Sequence, residues 1–107
     1  MIGYGGLTLE SIELTYPELS EVTKAIKVVL GISIDDMRVR KRTAELSLAR
    51  QLVCNICLDV PCNVIGQYLN RDHCTVVKHR AKANDLMSYN KVYKRSYVKV
   101  LNQMEQN

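Results

Sequence analysis

The run Asn70-Arg71-Asp72-His73-Cys74-Thr75-Val76-Val77-Lys78-His79-Arg80 gathers more kinds of chemistry than its neighbours in the chain. Asp72 is a good helix N-cap, because its carboxylate accepts from the unpaired backbone donors of a first turn. His73, Cys74 and Thr75 then fall in that first turn, where ring nitrogens, a thiol and a hydroxyl face outward. Lys78, Arg80 and Lys82 continue the segment with positive charge. Upstream, Ile65-Gly66-Gln67-Tyr68-Leu69 reads as the end of a shorter helix. A helix, a short polar turn and a basic helix make the pattern of a helix-turn-helix, whose second helix enters a DNA major groove.

Two other chemistries compete for these residues. Cys54-x2-Cys57, followed after 15 residues by His73-x5-His79, fits a loose zinc pattern. However, Cys54 and Cys57 lie inside a strongly amphipathic helical stretch, where a buried cysteine acts as a small hydrophobe. Asn55-Ile56 between them also offers no turn for a finger hairpin. No metal is therefore expected, and the four cysteines read as free thiols. A His73/Cys74 catalytic pair is weaker still, since adjacent helical residues diverge by about 100°. There is no glycine-rich phosphate loop, paired carboxylate motif or nucleophile elbow, so the reading is non-enzymatic, with no cofactor and no nucleotide.

The elements that must position the motif follow from the rest of the chain. At 107 residues it is one domain. Phe and Trp are absent, so Leu, Val, Ile and six Tyr must fill the core. Nothing reaches a transmembrane length, and no charged start leads into an apolar signal segment, so a cytoplasmic, nucleoid-associated protein with no membrane partner is expected. Residues 1–37 set Lys24 and Lys27 against six acidic residues, a balance of −4; residues 38–107 set thirteen basic residues against five acidic ones, a balance of +8. A basic half behind an acidic lead-in points to one face built for a polyanion.

Residues 1–14 are expected as an N-terminal arm whose structure the pattern leaves open, and residues 15–107 as the folded domain. The first helix starts near Thr15, where Thr15 and Glu18 make a capping-box pair and Pro17 suits a first turn. Leu19, Val22, Ile26, Val29 and Leu30 recur at helical spacing, and Gly31 supplies a left-handed stop. Ser33 caps a short helix. Arg38-Val39-Arg40-Lys41-Arg42 is too charged to bury and reads as an exposed basic loop. Thr43 caps a longer helix to about Leu58, ended by Asp59-Val60-Pro61. Residues 62–69 then form the first helix of the motif. Asp72 to about Met87 forms the second, with Val76, Val77, Ala83 and Leu86 inward. A closing helix from about Asn90 to Met104 carries Tyr93 and Tyr97 in a packing seam. The fold class is all-α, with about six helices.

Arg71-Asp72-His73-Cys74-Thr75-Val76 resembles the Arg-Asp-His-Thr-Thr-Val signature of the DNA-binding domain of the bacterial replication initiator DnaA, a helix-turn-helix domain (domain IV) of TrpR-like fold. The likeness covers most of residues 18–104, including the order of elements. It implies double-stranded DNA as partner. In that family an arginine of the basic loop enters the minor groove, and an ungapped alignment from Asp36 to Gln51 assigns that role to Arg42. The same alignment sets Arg50 and Gln51 on an Arg-Gln pair that contacts phosphate and base. Asp72, His73 and Thr75 match the major-groove readers, with Cys74 between them, and Lys41, Arg71 and Lys78 are positioned to hold phosphates.

Physics is compatible with each role. A guanidinium suits a narrow, negative minor groove. Asp accepts from a cytosine amino group, His donates to or accepts from a base edge, and the Thr methyl meets a thymine methyl. Capping does not exclude reading, because the second oxygen of Asp72 is left for a base. Three departures matter. Cys74 replaces the family's hydroxyl residue, which implies a different target sequence. The stretch from Gln51 to Arg71 is a few residues short. There is also no room for the initiator's ATPase domain, so the expectation is a chain that binds a DnaA-box-like site without melting it. Replication or transcription control in a bacterium, phage or mobile element would follow. The rival reading is a protein-interaction module that binds or competes with the host initiator, and the oligomeric state is left open.

Overall fold

Seven helices make up the described residues, which are 8–39, 41 and 43–106 of a computed structural model. They are α1 (Leu9–Thr15), α2 (Pro17–Leu30), α3 (Ile34–Arg38), α4 (Ala44–Ile56), α5 (Cys62–Leu69), α6 (His73–Tyr89) and α7 (Lys91–Gln106). No strand occurs among these residues, so the chain is all-α. None of the helices is long and apolar enough to cross a membrane.

Local chemistry sets most of the boundaries. The Ser33 hydroxyl accepts from the Asp36 amide at 3.2 Å while the Asp36 carboxylate accepts from the Ser33 amide at 3.0 Å, a complete capping box at α3. Thr43 caps α4 by accepting from the Leu46 amide. Gly31 ends α2 at φ 73°, a left-handed conformation that costs glycine no Cβ clash. Asn90 Oδ1 accepts from the Tyr93 amide at 2.9 Å and so starts α7.

The N-terminal boundary differs from the sequence expectation. Thr15 does not cap α2. It is the last residue of α1, and its hydroxyl donates back to the Ser11 carbonyl. Pro17 opens α2 with no side-chain cap at all. The extra helix α1, which covers part of the expected arm, is capped by Thr8 and buries Ile12. Its Glu13 accepts from the Tyr68 hydroxyl at 2.6 Å, tying α1 to α5. Helix α4 stops at Ile56, before Leu58, which is 62% exposed.

The core lies where α2, α4, α5 and α6 meet and is closed by α7. Leu19, Val22, Ile26, Leu52, Val53, Ile65, Tyr68, Leu69, Val76 and Val100 are fully buried. Val76 and Ala83 anchor α6, whereas Val77, expected inward, is 45% exposed because it lies one step around the helix from Val76. Tyr93 is buried and stacks on Tyr97 with centroids 6.4 Å apart, so the seam is packing rather than a platform for bases.

Candidate nucleic-acid interface

The turn between α5 and α6 is closed by two backbone devices. Asn70 takes the left-handed conformation at φ 57°. The Arg71 amide then donates to the Gly66 carbonyl at 2.7 Å, and the Asn70 amide to Gln67 at 3.3 Å. These bonds satisfy carbonyls that the end of α5 leaves open. After the turn, the Asp72 carboxylate accepts from the Thr75 amide at 2.8 Å. That bond, together with the Thr75 hydroxyl, holds the Asp72 carboxyl below its usual range, with the Lys78 charge helping. An anionic acceptor is thus fixed at the mouth of α6, on the positive end of the helix dipole.

Around this cap, His73, Cys74 and Lys78 are exposed and Thr75 is half-buried. Lys41 is exposed on the basic loop, and Gln51 is half-buried on α4. Beside them lies an open groove of about 750 Å³ between α4, α5 and the start of α6. Arg50, Arg71, Asp72 and Thr75 line it, together with Ser47, Gly66, Gln67, Asn70 and His79. Lys41, Gln51, His73, Cys74 and Lys78 lie outside the groove lining. Arg42 lies outside the described residues, as does Arg40.

Four arginines do work that charge counting missed. Arg50 is only 3% exposed. Its Nε donates to Met37 O at 2.9 Å, Nη2 to Val39 O at 2.7 Å and Nη1 to Lys41 O at 3.0 Å. Arg71 donates to the carbonyls of Asn70, Arg38 and Val39. Arg38 donates to Gln67 O and Tyr68 O at the end of α5. Arg80 donates to Cys54 O, Cys57 O and Val60 O around the end of α4, and to Cys62 Sγ at 2.8 Å. Carbonyls at helix ends have no intrahelical partner and sit at the negative end of the dipole, which a planar five-donor guanidinium satisfies well.

Arg50 and Arg71 are two of the residues for which the resemblance implies DNA contact. The guanidiniums of Arg50 and Arg71 donate to the carbonyls of Met37, Arg38, Val39 and Lys41, on the stretch that carries Lys41. A sequence signal existed: an arginine in the buried stripe of α4, between Ala49 and Leu52–Val53, has to find buried acceptors.

His79 also lines the groove, a position that the motif reading does not mark. It is half-buried on the groove wall, and its pKa is lowered first by desolvation, then by the nearby charges of Arg50 and Arg71. Gln67 keeps its side-chain oxygen buried with no hydrogen-bond partner among the described residues, leaving an acceptor in the same wall.

Cys54 and Cys57 are buried at 0% and 2% exposure, and burial pushes both thiols up to about 12. The described residues hold no group of three His, Cys, Asp or Glu side chains arranged to bind a metal.

Comparison with curated proteins yields no match. Comparison with protein families matches residues 19–83, which run from the first turn of α2 to the middle of α6 and include the whole turn described above. The family is that of the bacterial dnaA protein helix-turn-helix, a DNA-binding domain, and the chain belongs to it.

Proposed function

We propose that the chain binds double-stranded DNA sequence-specifically at DnaA-box-like sites, without catalysing a reaction. The observation that carries this is the first turn of α6. Asp72 is pinned as an anionic cap, His73 and Cys74 are exposed beside it, Thr75 borders the groove, and Lys41 and Lys78 are exposed cations. Such a turn reads base edges while flanking cations meet the strands. In this reading His73 and Thr75 contact bases in the major groove, and the second oxygen of Asp72 accepts from a base amino group. Lys41 and Lys78 hold phosphates. Arg42 keeps the minor-groove role that the family resemblance implies, while Arg50 and Arg71 set the loop's path. Residues 15–107 are the binding unit, with the rest of α1 strapped to it through Glu13. The setting is control of replication or transcription on cytoplasmic, nucleoid DNA.

Selection of binding sites from a random duplex pool, followed by fluorescence anisotropy, tests the proposal. Expected is a preferred site whose binding weakens steeply with salt, with a log–log slope of roughly −0.9 per phosphate neutralised. Absence of any sequence preference would refute the specific reading. If binding to a replication initiator persisted with a shallow salt dependence, the protein-interaction reading would replace it.

A further inference from the structure

Helix α7 lies beyond the matched residues 19–83 and carries a charge pattern the fold does not use. Lys91, Lys94, Arg95 and Lys99 stand on it against Glu105 alone, a net +3 out of +4 for the whole chain. All four are exposed, and none of their side chains has an ion pair or hydrogen bond among the described residues. Helical spacing sets them on one side, opposite the buried side of Tyr93, Ser96 and Val100 that packs toward α2.

Their placement works against the helix itself. Lys91 and Lys94 sit at the positive end of the dipole, where the first turn holds no acidic residue. Lys91–Arg95 and Arg95–Lys99 are like-charge pairs at i, i+4, a repulsive spacing. Arg38, Arg50, Arg71 and Arg80 each satisfy carbonyls, but the side chains of these four cations satisfy nothing among the described residues. Their axial span of about 12 Å is one over which a DNA strand rises by three to four phosphates.

The ridge also begins at the end of α6 opposite its first turn. Helix α6 has 17 residues, so its ends are roughly 25 Å apart. Its exposed positions after Lys82 are Asn84, Asp85, Ser88 and Tyr89, none of them cationic. The broad apolar side of α7 is already buried, and the outer side exposes only Val92 and Val98 among the cations, too little apolar surface for insertion into a bilayer.

We propose that the outer face of α7 is a second, sequence-independent phosphate-binding surface for a duplex segment other than the one α6 reads, so that one chain bridges two stretches of DNA. The proposal rests on α6 being the DNA-reading helix.

The test uses the full chain with two labelled duplexes: a short donor-labelled duplex covering only the selected site, and a longer acceptor-labelled duplex of random sequence. Energy transfer between them reports bridging. The variant Lys91→Gln, Lys94→Gln, Arg95→Gln, Lys99→Gln should bind the short duplex within about twofold of the parent, because the substituted sites stand on α7 and not in the first turn of α6. It should lose the energy transfer and melt at an unchanged or higher temperature, since the repulsion is relieved. Three results would overturn the proposal: a parent chain that does not bridge, a variant that still bridges, or a variant whose affinity for the short duplex falls as far as that of Lys78→Ala. A lower melting temperature would show that the cations serve the fold and would overturn it as well. Failure of the α6 reading itself appears separately, as a parent chain with no site preference.

Discussion

Gly66 and Arg71 hold the helix-turn-helix closed by approaching each other across the turn. The Arg71 amide donates to Gly66 O at 2.7 Å, and a Cβ built on Gly66 would stand 2.6 Å from the Arg71 carbonyl oxygen. The clashing atom is backbone, so a side chain at residue 66 can be admitted only by moving α6 relative to α5. Gly66→Ala should therefore destabilise the domain by about 1–3 kcal/mol, a cost typical of overpacking. For a domain of this size each kcal/mol lowers the melting temperature by roughly 4–8 °C. Thermal unfolding by circular dichroism checks this, and an unchanged melting temperature would mean the turn has slack.

Arg50 should behave as a brace for the basic loop. Its three nitrogens serve the carbonyls of Met37, Val39 and Lys41. Lysine keeps the charge but cannot reproduce the planar fork. Arg50→Lys should lose about 1.5–3 kcal/mol in urea unfolding, in line with hydrogen bonds to a charged group. Its DNA affinity should weaken by a similar factor on every duplex, because the loop shifts as a unit. Full stability with a loss confined to one base pair would instead make Arg50 a direct reader.

The groove should register as a pH dependence through His79. Desolvation, then Arg50 and Arg71, depress its pKa from the ordinary 6.5. Above that value the ring is neutral in both states and stability is complete. As pH falls below it, the unfolded chain takes up a proton the folded chain refuses, so stability drops until the folded pKa is passed. The parent's stability should accordingly fall on acidification below about 6.5, where an unperturbed histidine titrates. His79→Gln should flatten that slope while leaving any decline due to the carboxylates, and chemical denaturation at several pH values measures both.

Thiol labelling should distinguish the cysteines by environment. Cys74 is exposed, Cys62 is half-buried, and Cys54 and Cys57 are buried with thiols pushed up to about 12. Only the thiolate reacts, and buried structural cysteines are inert. Mass spectrometry after brief alkylation of the folded chain should find Cys74 modified first and Cys54 and Cys57 untouched until unfolding. Early modification of Cys54 would mean that α4 opens readily.

What the sequence made legible was local. Ser33, Thr43 and Asp72 are caps whose function depends on residues within three positions, and each caps the helix expected of it. The apolar stripe of α2 has the right period. Two kinds of feature were hidden. Thr15 has the composition of a cap, but α1, which depends on long-range contact with Tyr68, claims it as a last turn. The inward arginines were counted as surface charge because a guanidinium serving carbonyls of another element leaves no local spacing. Thus Arg80, placed by sequence among the cations of α6, reaches 26 residues back to Cys54. The capped start of α6, Asp72 to Thr75, was legible because a cap and the turn it opens are contiguous in the chain.

The proposed function assigns different work to His73 and Lys78, both exposed on α6 one to two turns apart. In the proposed binding mode His73, which follows the cap, faces base edges, whereas Lys78, further along the helix, meets a strand. Substituting His73 by Ala should cost about 1–3 kcal/mol on the preferred duplex and relax discrimination at one or two base pairs. Lys78→Ala should instead weaken all duplexes to a similar degree and make the salt slope shallower by about one unit. Neither residue is buried, so both variants should keep the parent's helicity and melting temperature, and that equality is the control. If His73→Ala bound every duplex as the parent does, α6 would not read DNA by its first turn. Any remaining selectivity would then have to come from the basic loop that Arg50 and Arg71 hold in place.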